Sequence, residues 1–251
     1  MYAYSDYEKK VTEMISLLDV TVHDSWKEFL TEERIQQVEK IESSMGSDFT
    51  PSKDLILRFL ASDLYQKKVI WLGQDPYFQP GVANGRSFQP ANLLSWGDKY
   101  RQVSLKNILR LVHASYSGVT TYEEIKTYKE VLQEIMDGTF PVKQPLEWFD
   151  SLEKQGVLFL NTSFSCIVNK PNSHKDMWKE FSKHLLEYIS NKRPDMIWFL
   201  WGKEAMGNKE YIQNGIFFES RHPMMCSVKY EDDFLKSPCF RETKDIINWL
   251  G

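Results

Sequence analysis

The chain has 251 residues, 42% hydrophobic and 14% aromatic, which suits a single globular domain with a real core and excludes a disordered chain. A formal charge of −4 excludes indiscriminate binding along a polyanion but not local basic contacts. The opening MYAYSDYEKK has neither a basic nor an apolar signal region, and the strongest apolar run, MIWFLWG, has seven residues. A soluble, cytoplasmic protein (nuclear in a eukaryote) without a membrane partner is therefore expected.

Residues 1–24 read as an N-terminal extension in which helical structure is left open. Helix-like stretches follow at 25–42 and 52–65, separated by GSDFTPS. KKVIWLGQ (67–74) is the first of four short apolar runs, with GVLFLNTS (156–163), MIWFLWG (196–202) and GIFFES (215–220). None alternates strictly, so each suits a strand buried on both faces of a parallel sheet. Between them lie further helices. SLKNILRLVHASY (104–116) starts at Ser104, a good N-cap, and PLEWFDSLEKQG (145–156) ends on Gly156, a C-cap signal. HKDMWKEFSKHLLEYIS (174–190) repeats apolar residues at helical steps, and CFRETKDIINWLG closes the chain as a helix. Alternating strands and helices predict one α/β domain over 1–251: a central four-stranded parallel sheet, helices on both faces, and an N-terminal helical segment.

The three cysteines, Cys166, Cys226 and Cys239, form no CxxC and no disulfide framework. A reducing compartment fits, and no zinc or iron–sulfur site, hence no metal and no cofactor, is expected from these spacings. The first fifty residues are acid-rich. Basic residues recur near later loops as Lys99, Arg101 and Lys106, as Lys170 and Lys175, and as Arg221 and Lys229. On their own these read as solvated surface charge.

Ligands of open parallel sheets bind beyond the carboxyl ends of the strands. The first strand runs into Gly73-Gln74-Asp75-Pro76-Tyr77, the second into Asn161-Thr162-Ser163, the third into Gly202-Lys203 and the fourth into Arg221-His222-Pro223. A carboxylate, an amide, a glycine turn and an imidazole thus meet on one rim. Each has an ordinary reading as a turn former, an N-cap or a structural histidine. GQDP has no phosphate-loop spacing. The residues by themselves support an α/β enzyme for a polar ligand and no more.

GQDPYF followed by GVANGRSF resembles the family 1 uracil-DNA glycosylases, whose signature is GQDPYH and then a loop ending in G-x-x-F. The order continues with SLKNI, LFLNTSF, NSH, FLWG and HPMMCS, and the resemblance spans about Ser25 to Leu250. It implies a DNA repair glycosylase that flips uracil from single- or double-stranded DNA and leaves an abasic site. Carried over by position, Asp75 would assist the attacking water and His222 would hydrogen-bond uracil O2. Asn161 would pair with N3–H and O4, Phe88 would stack on the base, and Tyr77 would exclude a C5 methyl. The backbone at Gln74 would also touch the base. The resemblance further implies DNA contacts from Ser104, Gly202, Lys203, Pro223, Met224, Met225 and Ser227. A monomer that protein inhibitors of this family can target completes the expectation.

The pattern is not complete. Phe78 stands at the family's histidine, Asn84 replaces another, DKYRQVS replaces the proline-rich loop, and Lys203 follows Gly202 where a serine is usual. HPMMCS lacks the second proline and the leucine wedge, whose place is taken by Cys226. Met225 is the expected substitute wedge, Met224 its alternative, and Cys226 a packing residue. Inward packing of both methionines is the plainer reading. Two other functions stay open: a glycosylase for another modified pyrimidine, and a non-catalytic DNA- or partner-binding relative. Asp75 with His222 weighs against the second, since a binder needs neither.

Overall fold

The structure, a computed structural model, describes residues 16–251. The first fifteen residues of the expected N-terminal extension therefore lie outside the described part, and residues 16–23 are turn and coil rather than helix. The helix expected at 25–42 is a 3-10 turn at Asp24–Trp26 followed by α1, Glu32–Ser44. The break falls at Thr31, whose hydroxyl accepts the Arg34 N–H and opens the second piece. After β1 (Phe49–Thr50), the helix expected at 52–65 is also broken. It consists of α2 (Lys53–Ile56) and two 3-10 turns, Arg58–Ala61 and Leu64–Gln66. The Ser62 hydroxyl donates to the Phe59 carbonyl at 2.8 Å and the Asp63 carboxylate accepts the Tyr65 N–H at 2.9 Å, local bonds that compete with a continuous helix.

The remaining elements are β2 (Val69–Gly73), α3 (Val103–Tyr116), α4 (Tyr128–Asp137), α5 (Pro145–Gln155) and β3 (Val157–Asn161). They continue with β4 (Cys166–Ile167), α6 (Lys175–Lys192), β5 (Ile197–Trp201), α7 (Lys203–Gly207), β6 (Ile216–Ser220) and α8 (Cys239–Thr243). Ser104 is not the N-cap of α3. Gln102 holds that place and Ser104 lies in the first turn. The closing helix stops at Thr243, after which the chain turns to bury Trp249, whose carbonyl accepts the Trp148 indole N–H at 2.7 Å. Helix α4 has no counterpart among the sequence expectations. Its signals were present: a Thr127–Glu130 capping box and Gly138 at φ 82°.

The main sheet runs β3–β2–β5–β6 with every pair parallel, as the alternation predicts. Every position of β2, β3 and β5 is buried. Val69, Trp71, Phe159 and Phe199 face a core shared with α3, α4, α5 and the C-terminal segment. Ile70, Leu72, Leu160 and Leu200 face a second core shared with α1 and α6. β6 departs from the expected two-sided burial. It is the edge strand, and Ile216 is 54% exposed. β1 and β4 pair antiparallel as a separate ribbon too short to show a period in sequence. The outcome for the site is simple: in-register parallel strands bring four strand ends to one edge.

Candidate active site

A cavity of about 240 Å³ opens at that edge. Gly73, Gln74, Asp75, Tyr77, Phe88, Ser104, Asn161 and His222 line it, so eight of the residues singled out by sequence meet at one place. The β2–β3 register sets Gly73 opposite Asn161. A Cβ at Gly73 would sit 2.2 Å from Asn161 Oδ1 and 2.8 Å from Ser87 Cβ, so the close approach of this amide requires glycine. Gly202 has φ +94°, and a Cβ there would lie 2.9 Å from that of His222. Both glycines hold a site residue close by having no side chain.

Asp75 is held from the segment after β4. Its Oδ2 accepts the Asn172 N–H at 2.9 Å, while Oδ1 is buried with no hydrogen-bond partner among the described residues. Burial pushes the carboxyl above its ordinary pKa, and the Asn172 N–H opposes part of that rise. His222 shows the mirror behaviour. Burial pushes its imidazole below the ordinary value, so the neutral ring is favoured. Its Nδ1 accepts the Met224 N–H at 3.2 Å. A backbone amide can only donate, so the proton of the neutral ring sits on Nε2. The site therefore opposes an under-solvated carboxylate and a neutral imidazole N–H donor.

The aromatic wall is fixed with equal care. Phe88 has φ 63°, a left-handed conformation costly for a bulky residue. Its ring lies nearly parallel to His222, with centroids 6.3 Å apart, and its edge meets Trp201 at 5.5 Å. Three bonds hold the strained backbone. The Tyr77 hydroxyl donates to the Phe88 carbonyl at 3.0 Å, the Ser87 hydroxyl to the Trp71 carbonyl at 2.8 Å, and the Arg58 guanidinium to the Asn84 carbonyl at 3.1 Å. Burial raises the Tyr77 phenol, so it stays a neutral donor. Next to them Arg86 is buried and ion-paired with Asp150 and Glu153 on α5.

Sequence reasoning missed Arg86, which sits beside the recognised Phe88, and Asn172, which also takes the Gln74 side-chain N–H at 2.7 Å. The NSH run carrying Asn172 was the signal that could have found it.

The residues expected to touch DNA divide into two groups. Lys203 is exposed and, with Gly202 and His222, lines a hollow beside the main cavity. Met224 and Met225 are 57% and 58% exposed, which excludes the inward packing of the plainer reading. Pro223 is buried and its carbonyl accepts the Asn107 amide at 2.7 Å, so it anchors the loop rather than presenting a surface. Ser227 is half-buried and its N–H is held by the Asp233 carboxylate. Cys226 packs against the core. Arg221, read from sequence as solvated surface charge, is engaged by Asp232 at 2.9 Å and lies 3.5 Å over the Tyr230 ring.

Fold and cavity together define an α/β protein with a small cavity, lined by a carboxylate, an amide and an imidazole, beyond the ends of its parallel strands. Comparison with known proteins makes the class specific. The chain is 30% identical over 243 residues to the uracil-DNA glycosylase of Francisella philomiragia, covering 90% of this chain and 99% of that one. It is 32% identical over 198 residues to uracil-DNA glycosylase 1 of Listeria monocytogenes, covering 76% and 77%. Among solved structures, the wild-type UNG of Nitratifractor salsuginis shares the fold with TM-score 0.69 at 18% identity, covering 98% of each chain. A mimivirus UNG Y322L solved in complex with UGI matches with TM-score 0.60 at 21% identity, covering 83% of this chain and 73% of that one. No family model matches the chain. The chain belongs to the family 1 uracil-DNA glycosylases, hydrolases of the N-glycosidic bond.

Proposed function

We propose that the protein flips a uracil nucleotide from DNA into the 240 Å³ cavity and that Asp75 and His222 carry its hydrolysis. One observation supports this most: Asp75, a carboxylate with only one backbone N–H partner among the described residues, and His222, whose neutral ring carries its proton on Nε2, line the same cavity. Water attacks C1′ of the deoxyribose, the C1′–N1 bond breaks, and its electron pair leaves on uracil. Positive charge grows on the sugar and negative charge on the base. The ionised Asp75 stabilises the first, orients the water and takes its proton. The neutral His222 donates to O2 and stabilises the second. The products are free uracil and an abasic site.

Asn161 reads the base edge. Its amide offers one acceptor and one donor, which match uracil N3–H and O4. Cytosine presents the reverse pair. Phe88 stacks on the ring, Tyr77 occupies the space of a C5 methyl, and the backbone at Gln74 closes the pocket. A base inside a duplex cannot reach these groups, so extrusion precedes chemistry. Ser104, Gly202 and Lys203 hold the strand, with Pro223 and Ser227 fixing the loop that carries Met224 and Met225. The same face is the one we assign to a protein inhibitor.

Oligonucleotides carrying one uracil, thymine or cytosine test the reading. Alkali-labile sites are expected at uracil alone, in single and double strands, with a chelator present. Their absence from both uracil substrates would falsify it.

Met225 is proposed as the wedge that fills the gap left by the flipped base. The Met225 N–H is tied to the His222 carbonyl at 2.8 Å, so the exposed thioether projects from a fixed turn beside the cavity. Methionine is long and adaptable enough for insertion into a stack. Met225→Ala is expected to slow release from double strands by about tenfold, corresponding to unstacking of about a few kcal/mol being less well compensated. Single strands should be affected far less. Equal loss on both substrates would remove the wedge role and leave the chemistry untouched.

A further inference from the structure

One oxygen of the Asp75 carboxyl, Oδ1, is closed to solvent and has no hydrogen-bond partner among the described residues. An ionised carboxylate left in that state is costly, so donors should stand close by. The segment 162–172 wraps around it. Past β3 the chain keeps pairing with the end of β2: the Thr162 N–H donates to the Gly73 carbonyl at 3.1 Å and the Ser163 N–H to the Gln74 carbonyl at 2.8 Å. At β4 the Cys166 Sγ lies 3.8 Å from the Pro76 carbonyl oxygen. Ser163 and Cys166 thus bracket Asp75 through the residues before and after it, and both buried side chains lie against its carboxyl. Asn172, at the far end of the same segment, supplies the N–H to Oδ2.

We propose that Cys166, assisted by Ser163, is a positioning residue for Asp75: as the carboxyl ionises, the thiol and hydroxyl protons turn to its buried oxygen and hold it at the cavity wall. The proposal rests on the reading of Asp75 as the group that must be ionised. In the structure the Ser163 hydroxyl donates to the Ser165 carbonyl at 2.9 Å and the thiol is directed at Pro76. Each proton turns about a single bond, so it can change acceptor with little movement of the heavy atoms. Burial and the neighbouring carboxylate push the Cys166 thiol up to about 12, so it remains an S–H donor at neutral pH. The backbone carrying it is fixed. Cys166 pairs with Thr50 between β4 and β1, and the adjacent Ser165 hydroxyl accepts the Trp178 indole N–H at 2.8 Å and meets His174 Nδ1 at 2.9 Å. The other titratable groups lining the cavity with Asp75 are Tyr77, Arg86 and His222. Arg86 is paired with Asp150 and Glu153, and burial favours the neutral forms of Tyr77 and His222. Hydrogen-bond donors, rather than a dedicated counter-ion, are therefore left to hold the charge.

The test uses the full chain. Release from single strands carrying one uracil gives kcat and KM as functions of pH. Carbon NMR of aspartate-labelled protein follows the Asp75 carboxyl, identified by its absence from Asp75→Asn. Losing a donor to the ionised form raises a carboxyl pKa. Cys166→Ala should therefore move the Asp75 titration and the carboxyl limb of kcat up by about 0.7 pH unit, a loss of about fivefold on that limb and the worth of one hydrogen bond, with KM unchanged. Cys166→Ser should restore most of both. The two variants remove the same sulfur, so a packing loss is common to them and their difference reports the donor. Ser163→Ala should shift the titration in the same direction and carries the test if Cys166→Ala folds poorly. The losses from Cys166→Ala and Asp75→Asn should not add, because the first acts through the second. An Asp75 titration unmoved by the loss of the donor, equal behaviour of Cys166→Ala and Cys166→Ser, or additive losses with Asp75→Asn overturns the proposal. The expected NMR shifts in a protein that releases no uracil would refute the proposed function and leave this role standing.

Discussion

Asp75→Asn and His222→Ala should each slow uracil release by about 10²–10³, the usual effect of removing a group aimed at developing charge. The two differ in what else they change. Burial raises the Asp75 carboxyl, so its folded pKa lies above its unfolded one. The native state then binds more protons than the unfolded state in that window, and stability falls as pH rises through it. At neutral pH the ionised group is a destabilising element retained for function, and Asp75→Asn should leave Tm unchanged or higher while removing activity. The pH profile follows from the same shifts. Activity needs Asp75 ionised and His222 neutral. It should rise with pH through a carboxyl pKa above the ordinary range and an imidazole pKa below it. Asp75→Asn should leave residual activity whose acid limb follows His222 alone. A normal rate in either variant, or an acid limb at the ordinary imidazole pKa, would show the roles to be misassigned.

Gly73→Ala is expected to be nearly as damaging for a different reason. The backbone at Gly73 is strand-like and tolerates a side chain, so the effect is steric. The added carbon would lie 2.2 Å from Asn161 Oδ1 and 2.8 Å from Ser87 Cβ. Neither can retreat easily, because Asn161 is 5% exposed and the Ser87 hydroxyl is bonded to the Trp71 carbonyl. Overpacking of this kind costs about 1–3 kcal/mol, so Tm should drop by several degrees. Shifting the base-reading amide by about 1 Å should cost about 10² in rate. Asp75→Asn and Gly73→Ala are thus separated by calorimetry: activity falls in both, stability in only the second. A fully active Gly73→Ala would show that the amide does not read the base from this position.

The sheet was readable because its strands are short and uninterrupted apolar runs, each ending in a change to polar residues. Burial of both faces leaves no period to misread, and β2, β3 and β5 lie within the expected ranges. β6 opens on the same kind of apolar run, yet only Ser220 of its five residues is buried. Strand order decides which strand is at the edge, and composition does not record strand order. The broken helices before β2 have a related cause. Hydroxyl and carboxylate bonds at Thr31, Ser62 and Asp63 compete with helix over one or two residues, below the window in which periodicity is visible.

At the site, the sequence alone determined the residue types and, through the family resemblance, the roles proposed for Asp75, Asn161 and His222. Asn161 ends its strand and Asp75 and His222 lie two residues beyond theirs, and parallel strands in register deliver their ends to one edge. The tertiary structure decided what state those groups are in. The Asn172 N–H on Asp75 comes from 97 residues away, and the burial that shifts the two pKa values is made by the whole surrounding fold. It also decided that Met224 and Met225 point outward and that Arg221 is occupied by Asp232. Linear order specifies which atoms can take part. Solvation and partners depend on packing between segments distant in sequence, and that packing exists only once the chain has folded.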